Sequence, residues 1–185
     1  FLFKDTKFNL IRHNKLNLTL VQNKDVVSRL VKKYGSMKRI SQYKKLFEIE
    51  KEIDLKLLKK RYRNLAKEWH PDKFQEDDAK LEEAEVNSRN IIDGYHFLVS
   101  IAPETLAANL EVYTDTITNS GIADYVHKGL LLEITFLDGT TYEYFGVTKP
   151  IYIKMINSNT LNRYAKRAIY PNYIYRKSKR MQQEA

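Results

Sequence analysis

The chain has 185 residues, 43% hydrophobic and 30% charged, with only 6 Gly and 4 Pro; this fits one ordinary folded domain or two small ones and excludes a low-complexity linker or a repeat array. It has no cysteine, which excludes structural disulfides and thiolate metal sites together. The net charge of +9 is unevenly spread, because residues 1–36 hold eight Lys/Arg and two Asp, leaving only +3 for the rest.

No run approaches the ~18 consecutive apolar residues of a spanning helix. The opening FLFKDTKFNLIRHNK is broken too early by charge for a secretion signal. The expected setting is therefore the cytoplasm, with no membrane partner. Residues 1–36 mix a strand-like KLNLTLV with a helical VVSRLVKKY and end at Gly35–Ser36. Met37 then opens MKRISQYKKLF, which reads as a natural start, so residues 1–36 are expected to be an upstream extension.

From Ser41 the pattern turns helical, first in a short segment holding Tyr43, Leu46, Phe47 and Ile49. A longer helix follows, with Asp54 as its N-cap. Leu58, Tyr62, Leu65, Ala66 and Trp69 recur at i, i+4, i+7, i+8 and i+11 and make one apolar stripe, so Leu58, Leu65 and Trp69 are expected core. The opposite surface carries Lys59, Lys60, Arg63 and Lys67. Pro71 disfavours helical geometry at His70 and forces an exit. A polar loop, Asp72 to Asp78, leads to a third helix over about 79–99. Its first turns are acidic through Glu82, Glu83 and Glu85, and its later face, Ile91, Ile92, Tyr95, Leu98 and Val99, is suited to pack antiparallel on the preceding stripe. Pro103 suits the first turn of a further helix through about Tyr113.

After Thr114 the composition shifts to a polar, turn-rich stretch and then to β-branched and aromatic residues, which marks a domain boundary. Leu130 to Leu137 and Thr140 to Val147 are expected strands around the hairpin signal Asp138–Gly139, with Ile122 to Val126 a third. Residues 149–168 look helical. The expected class is α+β, divided into an extension (1–36), a helical domain (37–113) and a small antiparallel sheet with helices (114–185).

His70-Pro71-Asp72 thus falls between two antiparallel helices, after a helix with a basic outer face. Here LLKKRYRNLAKEWHPDK resembles the helix and loop that define J-domains, through Lys59-Lys60, Tyr62-Arg63, Leu65-Ala66, Trp69, the tripeptide and Lys73. Tyr43 and Leu46 upstream, and Gly94-Tyr95 and Leu98 downstream, extend the likeness over about 41–100. Three positions depart from the family's pattern: Glu68 stands where lysine is usual, Phe47 where glycine is usual, and Ser88 where an aromatic is expected. The resemblance implies a co-chaperone. Lys59, Tyr62, Arg63, Lys67, His70, Pro71, Asp72 and Lys73 would contact a DnaK-type chaperone, Asp72 pairing with a partner arginine, and ATP hydrolysis in that partner would be stimulated. A catalytic use of His70 with Asp72 finds no nucleophile, metal cluster or phosphate loop beside it, so neither an enzyme nor a cofactor is expected.

Residues 120–176 resemble the KTSC domain, also found at the end of some lysyl-tRNA synthetases, through Ser120-Gly121-Ile122, the Leu132-to-Phe136 strand, Gly139, Tyr142-Glu143-Tyr144, Val147 and Tyr152. Between Arg163 and Arg180 stand Arg163, Lys166, Arg167, Arg176, Lys177, Lys179 and Arg180 with no acidic residue, interleaved with Tyr164, Tyr170, Tyr173 and Tyr175. Such a mixture neutralises phosphates and stacks bases, or else packs its tyrosines inward and leaves its charges to solvent. Arg163, Lys166, Arg167, Arg176, Lys177, Tyr142 and Tyr144 are the nucleic-acid candidates. An RNA-associated module, with the J-domain secondary, is the alternative to the co-chaperone.

Overall fold

A computed structural model of the protein describes residues 38–178. The strand-like and helical phrases expected within 1–36, and the basic residues Lys179 and Arg180, lie outside the described residues. The chain forms two compact units that divide between Leu106 and Ala107, earlier than the boundary after Tyr113 expected from composition.

The helical unit contains α1 (Lys38–Leu46), α2 (Leu55–Glu68), a 3-10 turn (Pro71–Lys73) and α3 (Asp78–Ser100). Helix α2 starts where expected, because the Asp54 carboxylate accepts the Leu57 N–H at 2.7 Å. Asp77 caps α3 in the same way, accepting from the Lys80 N–H at 3.2 Å. The backbone hydrogen bond and the neighbouring ammonium of Lys80 hold the Asp77 carboxyl below its usual range. The core gathers Ile40, Phe47, Ile53, Leu58, Ile91, Phe97 and Leu98, all nearly inaccessible to solvent. Leu58 is buried as expected, whereas Leu65 and Trp69 are only half-buried, since a single hairpin partner cannot cover the whole stripe.

The end of α1 closes in a left-handed cap. The Ile49 N–H donates to the Lys44 carbonyl at 2.8 Å and the Glu48 N–H to the Lys45 carbonyl at 3.1 Å, the paired bonds of a Schellman cap. The left-handed residue this cap requires is Glu48, at φ 52°. The backbone position that calls for glycine is therefore Glu48, and Phe47 is a fully buried core residue. Space for that ring comes from α3: a methyl group on Gly94 would lie 2.7 Å from Tyr43 Cδ1 and 3.1 Å from Phe47 Cε2. A left-handed non-glycine residue costs ~1–2 kcal/mol, and a β-branched one is worse placed still. Glu48→Gly is therefore expected to exceed Glu48→Val in stability by about 1–2 kcal/mol, measured as urea midpoints from the fluorescence of Trp69, the single tryptophan. Equal midpoints would contradict the left-handed cap.

Residues expected to form one helix over 103–113 form two, α4 (Pro103–Ala108) and α5 (Leu110–Asn119), and α5 belongs to the sheet unit. There β1 (Ile122–Lys128), β2 (Leu131–Phe136) and β3 (Thr141–Phe145) are followed by α6 (Lys149–Ile156), α7 (Leu161–Ala168) and β4 (Ile174–Lys177). All neighbours are antiparallel in the order β1-β2-β3-β4. The Asp138–Gly139 turn holds as expected: Gly139 takes φ 79°, and the Asp138 side chain accepts the Thr140 N–H at 2.8 Å. Short, basic β4 has no alternation long enough to read in the sequence.

Tyrosine fills the core of this unit. Tyr113 of α5 stacks on Tyr175 with ring centroids 3.6 Å apart, and its hydroxyl lies 3.3 Å from that of Tyr144. Burial pushes both the Tyr113 and the Tyr144 phenols well above the ordinary range, and it raises Tyr142, Tyr170 and Tyr175 too. These hydroxyls stay neutral donors at any physiological pH.

Candidate partner-binding site

Two helices of opposite direction bring the His70–Asp72 turn to the apex of a hairpin, and local bonds shape it. His70 leaves the helix in an extended conformation, φ −69° and ψ 123°, as a residue before proline must. Its carbonyl accepts the Lys73 N–H at 3.0 Å, and the Pro71 carbonyl accepts the Phe74 N–H at 2.9 Å. The Trp69 and Phe74 rings, 6.4 Å apart, flank the base of the turn. The turn's backbone is thus committed while its side chains are not. His70 and Asp72 are 56% and 75% exposed. His70 Nδ1 lies 3.4 Å from both the Asp72 N–H nitrogen and Asp72 Oδ2. That pairing engages only one ring nitrogen, so Nε2 has no partner among the described residues.

One face of α2 forms a shallow cleft of about 390 Å³ lined by Lys56, Lys59, Lys60, Arg63, Asn64 and Lys67. None of the five cations has an ion pair among the described residues. The cleft brings together Lys59, Arg63 and Lys67, as the sequence predicts, with the outward Lys60; Lys56 and Asn64 join them without having been expected. The helical period carries the missing signal, because Lys56, Lys60, Arg63 and Lys67 follow one another at four, three and four residues. Lys73 is exposed in the turn and Pro71 half-buried. Tyr62 is turned to packing, stacked on Tyr95 at 4.2 Å between ring centroids.

In the sheet unit the candidate nucleic-acid residues separate. Tyr142 and Tyr144 are 3% and 0% exposed: they point into the tyrosine core and are unavailable for stacking bases, which corrects their candidacy. Arg176 is committed too, its Nε donating to Glu143 Oε2 at 2.8 Å. Lys166 donates to the Thr118 carbonyl at 2.9 Å, tying α7 to the last turn of α5. Arg163, Arg167 and Lys177 are exposed. Of the interleaved tyrosines, Tyr170, Tyr173 and Tyr175 are buried, and Tyr164 is half-buried.

An antiparallel hairpin with a basic outer helix and an exposed His-Pro-Asp turn is the architecture of a J-domain, and the comparison with known families agrees: the DnaJ domain matches residues 42–100. The KTSC domain matches residues 118–173. The chain therefore carries a J-domain followed by a KTSC domain, and a DnaJ-like co-chaperone role with a DnaK-type partner follows in general terms. No curated protein and no solved structure matches the chain. No helix among the described residues is long and apolar enough to cross a membrane.

Proposed function

We propose that this protein binds a DnaK-type chaperone in the cytoplasm through the basic face of α2 and the His70-Pro71-Asp72 turn, and so stimulates its ATP hydrolysis. The observation that carries this is the exposure of both His70 and Asp72 at the hairpin apex beside five cations without ion pairs among the described residues. The J-domain supplies no catalytic group for the hydrolysis. It acts as an allosteric effector, stabilising the partner's hydrolysis-competent conformation through contacts that conformation alone offers.

Lys56, Lys59, Lys60, Arg63 and Lys67 steer the encounter with an acidic surface, and such steering is screened by salt. In single-turnover assays the protein should raise a DnaK-type chaperone's hydrolysis rate by about 5–150-fold, the span of ordinary coupling energies. The concentration needed for half the effect should rise steadily between low and physiological salt. No acceleration at low salt with a cognate chaperone would end the proposal.

A second function, association of the KTSC domain with RNA, is favoured by one specific feature. The sequence from Arg163 to Arg180 contains seven Lys/Arg and no Asp or Glu, and such a stretch attracts polyanions. On this view the sheet unit determines where, or on what, the J-domain recruits its chaperone.

A further inference from the structure

Within the sheet unit the basic-aromatic stretch narrows to one place. A cleft of about 330 Å³ is lined by Ser158, Asn159, Thr160, Arg163, Tyr164 and Arg167. Arg163 and Arg167 stand one turn apart on α7, where like charges repel. Neither guanidinium has a carboxylate partner among the described residues, and no acidic residue occurs within 144–178 to supply one. Lys166, between them in sequence, instead serves the fold through the Thr118 carbonyl. The Thr160 hydroxyl is not spent on capping α7, whereas that of Ser158 donates to the Met155 carbonyl. Tyr164 is the one tyrosine of the stretch left partly open, because Tyr170, Tyr173 and Tyr175 are taken into the core.

We infer that this cleft binds a phosphate ester bearing a nucleobase, with Arg163 and Arg167 holding the phosphate and Tyr164 offering its ring to the base. The inference rests on the RNA function proposed for this domain and gives it an address. Each guanidinium presents five donors in a planar fork that fits phosphate oxygens. Their mutual repulsion, unrelieved by the protein, is relieved by an anion between them. A base stacked on Tyr164 adds affinity without demanding a particular sequence, since every base has a π-face. A single-stranded RNA and a free nucleotide share this chemistry, and the cleft's volume lies near the lower end of the ~300–1,000 Å³ usual for small-ligand sites.

The test uses the full chain and a fluorescently labelled single-stranded RNA of about twelve nucleotides, within the span of known single-strand sites. Anisotropy is followed at about 50 and 200 mM salt. Arg163→Gln with Arg167→Gln is expected to weaken binding at least ~10-fold at the lower salt and to flatten the log-log salt slope by about 1.4, or ~0.7 for each single-strand phosphate no longer neutralised. Tyr164→Leu should weaken it about 5-fold or more. A charge-matched control, Lys149→Gln with Lys154→Gln, removes two exposed cations of α6 outside the cleft and should change affinity less than ~3-fold.

Equal losses in the control and in the arginine pair would overturn the cleft in favour of diffuse charge. Binding by the wild type that the arginine pair does not affect would overturn the cleft and leave RNA association standing. A second arm measures adenosine monophosphate by equilibrium dialysis. Nucleotide binding that depends on the arginine pair, with no RNA binding, would keep the cleft and remove the RNA function. Silence of the wild type in both arms would overturn the cleft and the RNA function together.

Discussion

Replacing His70 with Gln is expected to abolish the acceleration of a DnaK-type chaperone's ATP turnover while leaving the fold unchanged. The side chain is 56% exposed, and its only contacts within the turn are the long ones to Asp72, at 3.4 Å. The 3-10 turn is held by main-chain bonds from Lys73 to His70 and from Phe74 to Pro71, and these survive the substitution. Surface changes of this kind usually alter stability by no more than about 0.5 kcal/mol, so the urea midpoint and far-ultraviolet CD should match the wild type. Coupling between two sites is worth ~1–3 kcal/mol, and losing the imidazole's share should return single-turnover hydrolysis to the unstimulated rate. Asp72→Asn is expected to fail in the same way, because the proposed site needs both exposed side chains at the apex. A His70→Gln protein that stimulates fully would show that the turn is not the effector.

The second large effect belongs to stability. Arg176→Met should cost the sheet unit about 3–5 kcal/mol, the usual consequence of removing one partner from a buried ion pair. Arg176 and Glu143 are cross-strand neighbours in the β3–β4 register, only 15% and 7% exposed and joined at 2.8 Å. The guanidinium also lies 5.7 Å from the centre of the Phe145 ring. Methionine fills much of the same volume, so the expected loss comes from the carboxylate left behind rather than from a cavity. Adding Glu143→Leu should recover only part of that loss, since it removes one unpaired carboxylate while Glu133, the buried cross-strand neighbour of Glu143, stays. Urea unfolding followed by near-ultraviolet CD of the tyrosine core measures both. A single variant that unfolds at the wild-type midpoint would mean that the pair contributes nothing to the fold.

The same ion pair shows why the basic C-terminal stretch is hard to apportion from sequence. Arg163, Lys166, Arg167, Arg176 and Lys177 look alike in a charge count, yet one neutralises a buried carboxylate, one caps a helix and two line a cleft. The roles of Lys166 and Arg176 depend on a carbonyl and a carboxylate 48 and 33 residues away, which no local pattern reveals. Tyr142 and Tyr144 pose the same problem: alternation places them on one face of a strand, but whether that face meets water or Tyr113 depends on where α5 packs.

Several features needed no tertiary information. Asp54 announced the start of α2, Asp138–Gly139 the β2–β3 turn, and the spacing from Leu58 to Trp69 a helix with one apolar stripe, because capping, turn geometry and helical period act over a few residues. The His70-Pro71-Asp72 turn was legible for the same reason, since proline sets the backbone of the residue before it. Tertiary structure decided what depends on distant neighbours: that the Phe47 ring is buried where Gly94 leaves room for it, and that α5 joins the sheet unit. In both cases the outcome depends on a segment tens of residues away, which neither local sequence records.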